Sequence, residues 1–393
     1  MPEVQAREEE RSAFRGLSRR DFMKYCAYLT AFIGLDAAAI PKVAEALETA
    51  AATPIVVWSQ FQECTGCTVA LLQSTSPSPG QLILQQISLA YLETAMATAG
   101  AYNAAGQNYT EMNFEEAFKK GAVWICEGAV ATKIPGAMTV AGKTSVDIVK
   151  ETYPKAKATI AIGSCACFGN IQKAAPDPTG AMGIREYLRT QGGVPDATVI
   201  NMARCPANPE DLLAVITSFL VTGKVPELDA QGRPLFLYGQ TIHDNCERRG
   251  HFDAGEFVEQ FGDANTAKNY CLYKVGCKGP VTYAPCAVTR WNGRVSWCNE
   301  SGGPCIGCSE DNFWDDLSPF TSEIPGWSFP GLAGVNPATV GAVLGAATVV
   351  GLGAHAIGQV ATGRAFKGGS HAPESDKPAA DKPKADSKKG GDA

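Results

Sequence analysis

Residues 53–67 read TPIVVWSQFQECTGC, an apolar, partly β-branched run that ends just before the pair Cys64 and Cys67. Its near-continuous apolarity suits a strand buried on both faces of a parallel sheet. Similar runs follow at 122–130 (AVWICEGAV), 158–166 (ATIAIGSCA), 198–206 (TVINMARCP) and 234–239 (PLFLYG). The segments between them are long enough for crossover helices, so the pattern predicts an α/β fold, a flavodoxin-like, doubly wound parallel sheet. Ligands of such sheets bind outside the carboxyl ends of the strands. Those ends carry Glu63, Cys64 and Cys67, then Glu127, then Cys165, then Arg204 and Cys205. Four cysteines from three separate strand ends are therefore expected to converge. Four thiolates suit a 4Fe–4S cluster, and a structural Cys₄ zinc site is the alternative. No GxGxxG follows the first run, which argues against a dinucleotide.

The wider composition agrees with metal chemistry. Fourteen cysteines against four histidines in 393 residues is the outlying feature, since a chain this long needs no disulfide staples. With 45% hydrophobic residues, 19% charged residues and a net charge of -6, most of the chain should pack as a globule. The mildly acidic balance argues against a nucleic-acid partner. After residue 240 the strand–helix rhythm stops. Residues 241–330 are rich in Gly, Cys and Trp and would depend for a core on whatever they wrap. They hold His243, Cys246, Cys271, Cys277, Cys286, Cys298, Cys305 and Cys308, enough for two more four-ligand sites. His243 lies three residues before a cysteine in a segment otherwise one ligand short.

Both ends differ from the middle. Ser18-Arg19-Arg20-Asp21-Phe22-Met23-Lys24 has the form of a twin-arginine export signal, followed by an apolar run. Residues 1–52 are therefore expected to lie outside the fold, the alternative being an amphipathic first helix. Residues 324–363 contain no Asp, Glu, Lys or Arg, and residues 331–363 read as a transmembrane helix. Arg364 and Lys367 follow directly, which by the positive-inside rule leaves the tail cytoplasmic. Residues 364–393 are Pro/Lys/Asp-rich and read as disordered. The body then divides into residues 53–240, the sheet domain, and residues 241–330, the Cys-rich domain.

Over roughly residues 53–325 these motifs resemble the small subunit of NiFe hydrogenases, of the exported, membrane-associated type. The resemblance implies a proximal 4Fe–4S cluster on Cys64, Cys67, Cys165 and Cys205. It implies a distal 4Fe–4S cluster on His243, Cys246, Cys271 and Cys277, and a middle cluster on Cys286, Cys305 and Cys308 within the family-typical PCIGCSEDNFWD (304–315). Many members have a 3Fe–4S middle cluster with proline opposite its open corner. Here Cys298 stands at that position, which implies a middle 4Fe–4S cluster of lower potential, a buried free thiol being the alternative. Oxygen-tolerant members carry two extra cysteines near the proximal cluster. Gly66 and Asn170 stand at those positions and Cys167 does not match, so an ordinary proximal cluster and conventional oxygen sensitivity are expected.

With eleven cysteines allotted, only Cys26, Cys126 and Cys167 remain, too few for a NiFe centre on this polypeptide. The implied role is electron transfer through three iron–sulfur clusters between a NiFe large subunit and an external or membrane acceptor, with hydrogenase activity only in the heterodimer. Glu63 and Glu127 are candidates for proton movement or contact with the partner, and His355 for contact with the haem of a membrane cytochrome. Localisation is expected on the periplasmic face of the cytoplasmic membrane. Two other readings stand beside this one: the iron–sulfur subunit of another respiratory oxidoreductase, and a disulfide- or zinc-stabilised exported binding protein.

Overall fold

Four of the five apolar runs form strands in the computed structural model, which describes residues 19–48, 54–74, 78–81, 87–96, 109–324 and 337–362. The strands are β1 (Ile55–Gln60), β2 (Ser88–Leu92), β3 (Val123–Glu127), β4 (Ala158–Ile162) and β5 (Ile200–Met202). Among the described residues the main sheet has the order β2-β1-β3-β4-β5 and is parallel throughout. This is the flavodoxin-like order. The chain reverses direction across the sheet between β1 and β3, and the crevice at their carboxyl ends is where such folds bind ligands. β3 and β5 are buried along their whole length, and β1 and β4 nearly so, which explains their near-continuous apolarity.

The run at 234–239 is not a strand. Leu235–Tyr238 forms one helical turn started by Pro234, with Leu237 and Tyr238 buried and the Tyr238 hydroxyl donating to the Ala203 carbonyl at 3.1 Å. A short apolar run does not distinguish a strand from a buried helical turn, and proline favours the helix start. The remaining strand comes from Ser88–Leu92, an edge strand whose exposed first residue and mixed polarity hide it from the pattern.

The N-terminal segment also departs from expectation. Helix α1 (Arg19–Phe32) and helix α2 (Ile40–Glu48) fold back on each other and onto a long helix of the body, Pro209–Thr222. Phe22, Cys26, Leu29 and Ile33 recur every three or four residues, forming one face that packs with Val43, Ala44 and Ala214. Residues 19–48 thus share a core with the body rather than standing outside it. Residues 1–18, where the export motif begins, lie outside the described residues, as does the tail 364–393.

The Cys-rich segment has no core of its own. Val258, Leu272, Val275, Trp297, Phe313 and Trp314 join the same buried cluster as Trp58, Trp124 and Ile160 of the sheet. The described residues up to Ile324 form one compact unit. The second unit contains a 25-residue helix, Pro337–Ala361, whose Val343, Leu344, Val349, Val350, Leu352 and Ile357 are all exposed. Its stretch Val343–Ala361 is long and apolar enough to cross a membrane.

Candidate iron–sulfur sites

At the carboxyl end of β1, Thr65 takes a left-handed conformation (φ 62°) and starts helix α3 (Gly66–Leu72) without capping it. The cap comes from β3 instead. Glu127 Oε1 accepts from the Cys67 and Thr68 amides at 2.9 and 3.2 Å, and Oε2 accepts from Trp58 Nε1 at 3.0 Å and Thr68 Oγ1 at 2.5 Å. Its 1% exposure and full set of donors rule out the surface contact expected of it. Glu127 is an internal anchor for the turn that carries Cys64 and Cys67. Glu63 is half-buried, takes a 3.1 Å hydrogen bond from Thr65 Oγ1 and has its Oε2 unpaired within the chain. Burial, then the charge of Glu127, push the Glu63 carboxyl up to about 7.

Cys165 follows β4 in the short helix α4 (Gly163–Phe168), and Cys205 follows β5. The four strand-end sulfurs come within electrostatic reach of one another. Three groups that sequence reasoning did not single out as donors serve them. Asn170 Nδ2 reaches the sulfurs of Cys165 and Cys205 at 3.1 and 3.5 Å, Gln172 Nε2 reaches Cys165 at 3.5 Å, and the Ala207 amide donates to Cys67 Sγ at 3.3 Å. Asn170 has φ +58°, a conformation asparagine tolerates better than most residues. Gly163 (φ +80°) makes room for the site, since a Cβ there would lie 2.4 Å from Cys67 Sγ.

His243, Cys246, Cys271 and Cys277 line one small pocket together with Asn299. Asn299 Nδ2 donates to Cys277 Sγ at 3.4 Å and lies 3.8 Å from Cys246 Sγ. Burial, then the Arg249 charge, lower the pKa of His243, which favours the neutral imidazole a metal needs. The middle candidates lie within electrostatic reach of one another. Cys286 interacts with Cys298, Cys305 with Cys286 and Cys308, and Cys308 with Cys286 and Cys298. Cys286, Cys305 and Cys308 are buried or half-buried, while Cys298 is exposed and within electrostatic reach of Cys286 and Cys308.

The three groups touch through single hydrogen bonds. Ser164 Oγ, beside Cys165, donates to the Cys308 carbonyl, joining the first group to the middle one. The Cys305 amide donates to Cys277 Sγ at 3.4 Å, joining the middle group to the distal one. Burial pushes the Cys165 and Cys271 thiols up to about 11 and the Cys67 thiol well above its usual range. Such thiols become thiolates only beside a bound cation. Among the described residues no three His, Cys, Asp or Glu side chains close on a space fit for a single metal ion. The donor set, the amides aimed at sulfur and the clearance at Gly163 fit polynuclear iron–sulfur clusters. Cys126 and Cys167 are core thiols, Cys167 donating to the Ala161 carbonyl at 3.3 Å. His355 lies on the apolar helix, 3.0 Å from Gln359 Nε2.

Comparison with known proteins agrees with this architecture. Residues 64–219 match the profile of the NADH ubiquinone oxidoreductase, 20 Kd subunit, and residues 238–321 match that of the C-terminal part of the NiFe/NiFeSe hydrogenase small subunit. The chain is 44% identical over 313 residues to the periplasmic [NiFe] hydrogenase small subunit 1 of Nitratidesulfovibrio vulgaris, covering 79% of this chain and 95% of that one. It is 41% identical over 354 residues to the quinone-reactive Ni/Fe-hydrogenase small chain of Wolinella succinogenes, covering 87% and 96%. Among solved structures, the reduced, active Ni-Fe-Se hydrogenase of Desulfomicrobium baculatum superimposes with a TM-score of 0.62 at 32% identity, covering 69% of this chain and 99% of that one. The chain belongs to the NiFe hydrogenase small-subunit family. Members carry iron–sulfur clusters and act as hydrogenases together with a NiFe large subunit. The match at 64–219 shows that the sheet domain is shared with a respiratory oxidoreductase subunit, whereas the Cys-rich half matches the hydrogenase profile.

Proposed function

We propose that this chain is the electron-transfer subunit of a membrane-associated NiFe hydrogenase, built to hold three iron–sulfur clusters in series. Cys64, Cys67, Cys165 and Cys205 hold the proximal 4Fe–4S cluster. Cys286, Cys298, Cys305 and Cys308 hold a middle 4Fe–4S cluster, and His243, Cys246, Cys271 and Cys277 the distal one. When bound, such clusters take up and release single electrons at potentials set by charge, hydrogen bonds to sulfur and exposure. The observation that carries the reading is the pair of contacts between ligand segments, Ser164 Oγ to the Cys308 carbonyl and the Cys305 amide to Cys277 Sγ, which supports three ligand sets in one file.

The residues around each set have separable tasks. Glu127 fixes the Cys64–Cys67 turn, Asn170 and Gln172 donate to the proximal sulfurs, and Asn299 donates to the distal ones. Cys64 and Cys205 are exposed, and the exposed apolar side chains Val69 and Leu72 follow Cys64 in the chain, as Ile171 follows Cys165. This mouth suits the large-subunit interface, with Glu63 the carboxylate available there for proton movement or partner contact. The Pro337–Ala361 helix, at about 1.5 Å per residue, exceeds the ~30 Å bilayer core, which supports a C-terminal anchor. The likeness to a quinone-reactive relative supports a membrane acceptor such as a cytochrome, with His355 as its candidate haem contact. Arg19 and Arg20 belong to a twin-arginine export signal that places the body on the periplasmic side and the tail in the cytoplasm.

Iron and acid-labile sulfide analysis of the purified heterodimer tests the cluster count, and about twelve irons per small subunit is the expected value. Absence of sulfide would remove the reading and return a zinc- or disulfide-stabilised protein. Electron paramagnetic resonance of the oxidised enzyme tests Cys298. A near-silent spectrum is expected, and a strong 3Fe–4S signal would make Cys298 a spare thiol.

A further inference from the structure

A buried cation lies between the proximal and middle ligand sets, and the ligand assignment leaves it without a role. Arg204 immediately precedes Cys205, and its side chain is 1% exposed. Its backbone belongs to the proximal site, where its carbonyl accepts from the Ser164 amide at 2.9 Å. The side chain turns the other way. Its guanidinium pairs with Asp211, also 1% exposed, at 2.7 Å, and lies 5.2 Å from the centre of the Trp291 ring. Its Nη2 donates to Thr289 Oγ1 at 3.1 Å, and its charge acts on the nearby Cys286 thiol. Cys286 and Thr289 are the two ends of one helical turn, so the side chain that holds Thr289 sets its charge beside Cys286.

The charge is directed as well as buried. It acts on Cys286, Cys298 and Cys308, three of the four middle thiols. At Cys286 it outweighs the opposing charge of Asp211. A fixed positive charge in a poorly screened interior stabilises the more negative, reduced form of whatever those thiolates hold. A fourth thiolate at Cys298 acts in the opposite sense.

We infer that Arg204 is a positioning residue for the middle site, holding the Cys286–Thr289 turn at Thr289 and raising the potential of the middle cluster, with Asp211 tempering that charge. This rests on the ligand assignment proposed above. Arg204 thereby offsets the added negative charge of Cys298 and keeps the middle step of the relay accessible.

The test is a redox titration of the purified heterodimer, followed by electron paramagnetic resonance, with four variants. Arg204→Gln should shift the reduction equilibrium of the middle cluster toward the oxidised form by about tenfold, a fall of about 59 mV for a one-electron couple. Arg204→Lys should recover part of that shift. Asp211→Asn should move the midpoint the opposite way, above the wild type. The double variant Arg204→Gln/Asp211→Asn leaves no buried charge unpaired, and it should lie below the wild type even if the single Arg204 variant fails to fold. A middle midpoint unchanged in the double variant and in Asp211→Asn would overturn the inference, as would equal shifts of all three clusters. Absence of any middle-cluster signal in the wild type would instead defeat the ligand assignment on which it rests.

Discussion

Gly163→Ala isolates the steric requirement of the proximal site. Gly163 sits at φ +80°, where an alanine costs about 1–2 kcal/mol in any surroundings. That cost alone is survivable. The decisive term is contact, because the new Cβ would lie 2.4 Å from Cys67 Sγ. Restoring an ordinary 3.4 Å separation needs a movement of about 1 Å, several times the ~0.2 Å latitude of metal–ligand distances. The backbone at Gly163 cannot easily yield, since the next amide, Ser164, is tied to the Arg204 carbonyl at 2.9 Å. Cys67 must therefore move, and it is also tethered by the Glu127 bond to its amide. The expected result is loss of about four of the twelve irons and of the proximal resonance, with the other clusters retained. Gly223→Ala is the control. Its φ is +65° and nothing lies within 4 Å, so it carries the conformational cost without the clash and should keep all its iron. A Gly163→Ala enzyme with full iron, full sulfide and an unchanged spectrum would refute Cys67 as a ligand in this geometry.

Asn299→Ala removes the amide donor at the Cys277 sulfur, so the distal midpoint should fall by roughly 40 mV, about 1 kcal/mol, in a redox titration. Deleting residues 331–393 should move the heterodimer from the membrane to the soluble fraction; retention would mean that another subunit supplies the anchor. Replacing Arg19-Arg20 by Lys-Lys should hold the protein in the cytosol, measured by fractionation, and normal export would show that another signal is used.

Strand existence was readable from local pattern because β1, β3, β4 and β5 are buried on both faces, which leaves a near-continuous apolar signature. Where that condition fails, so does the reading. β2 is an edge strand with polar positions, and Leu235–Tyr238 is too short for apolarity to separate helix from strand. The N-terminal helices show a different failure. Their export-like motif suggested a segment outside the fold, while the spacing of Phe22, Cys26, Leu29 and Ile33 builds a face that packs on Ala214.

The sequence by itself determined the chemistry available: eleven cysteines and one histidine in motif spacings, the alternation of strands and crossovers that brings strand ends together, and an apolar C-terminal helix. Ligand type and strand alternation are local properties, so they survive in one dimension. Only the tertiary structure decided what surrounds the sulfurs. Glu127 became an internal cap because parallel pairing sets the end of β3 beside the turn after β1, 60 residues earlier. Asn170, Asn299 and Arg204 acquire meaning from partners that chain order does not reveal, Arg204 and Thr289 being 85 residues apart. Hydrogen bonds and buried charges act over a few ångströms of space, and those distances exist only once the sheet is assembled and the Cys-rich segment packs on it.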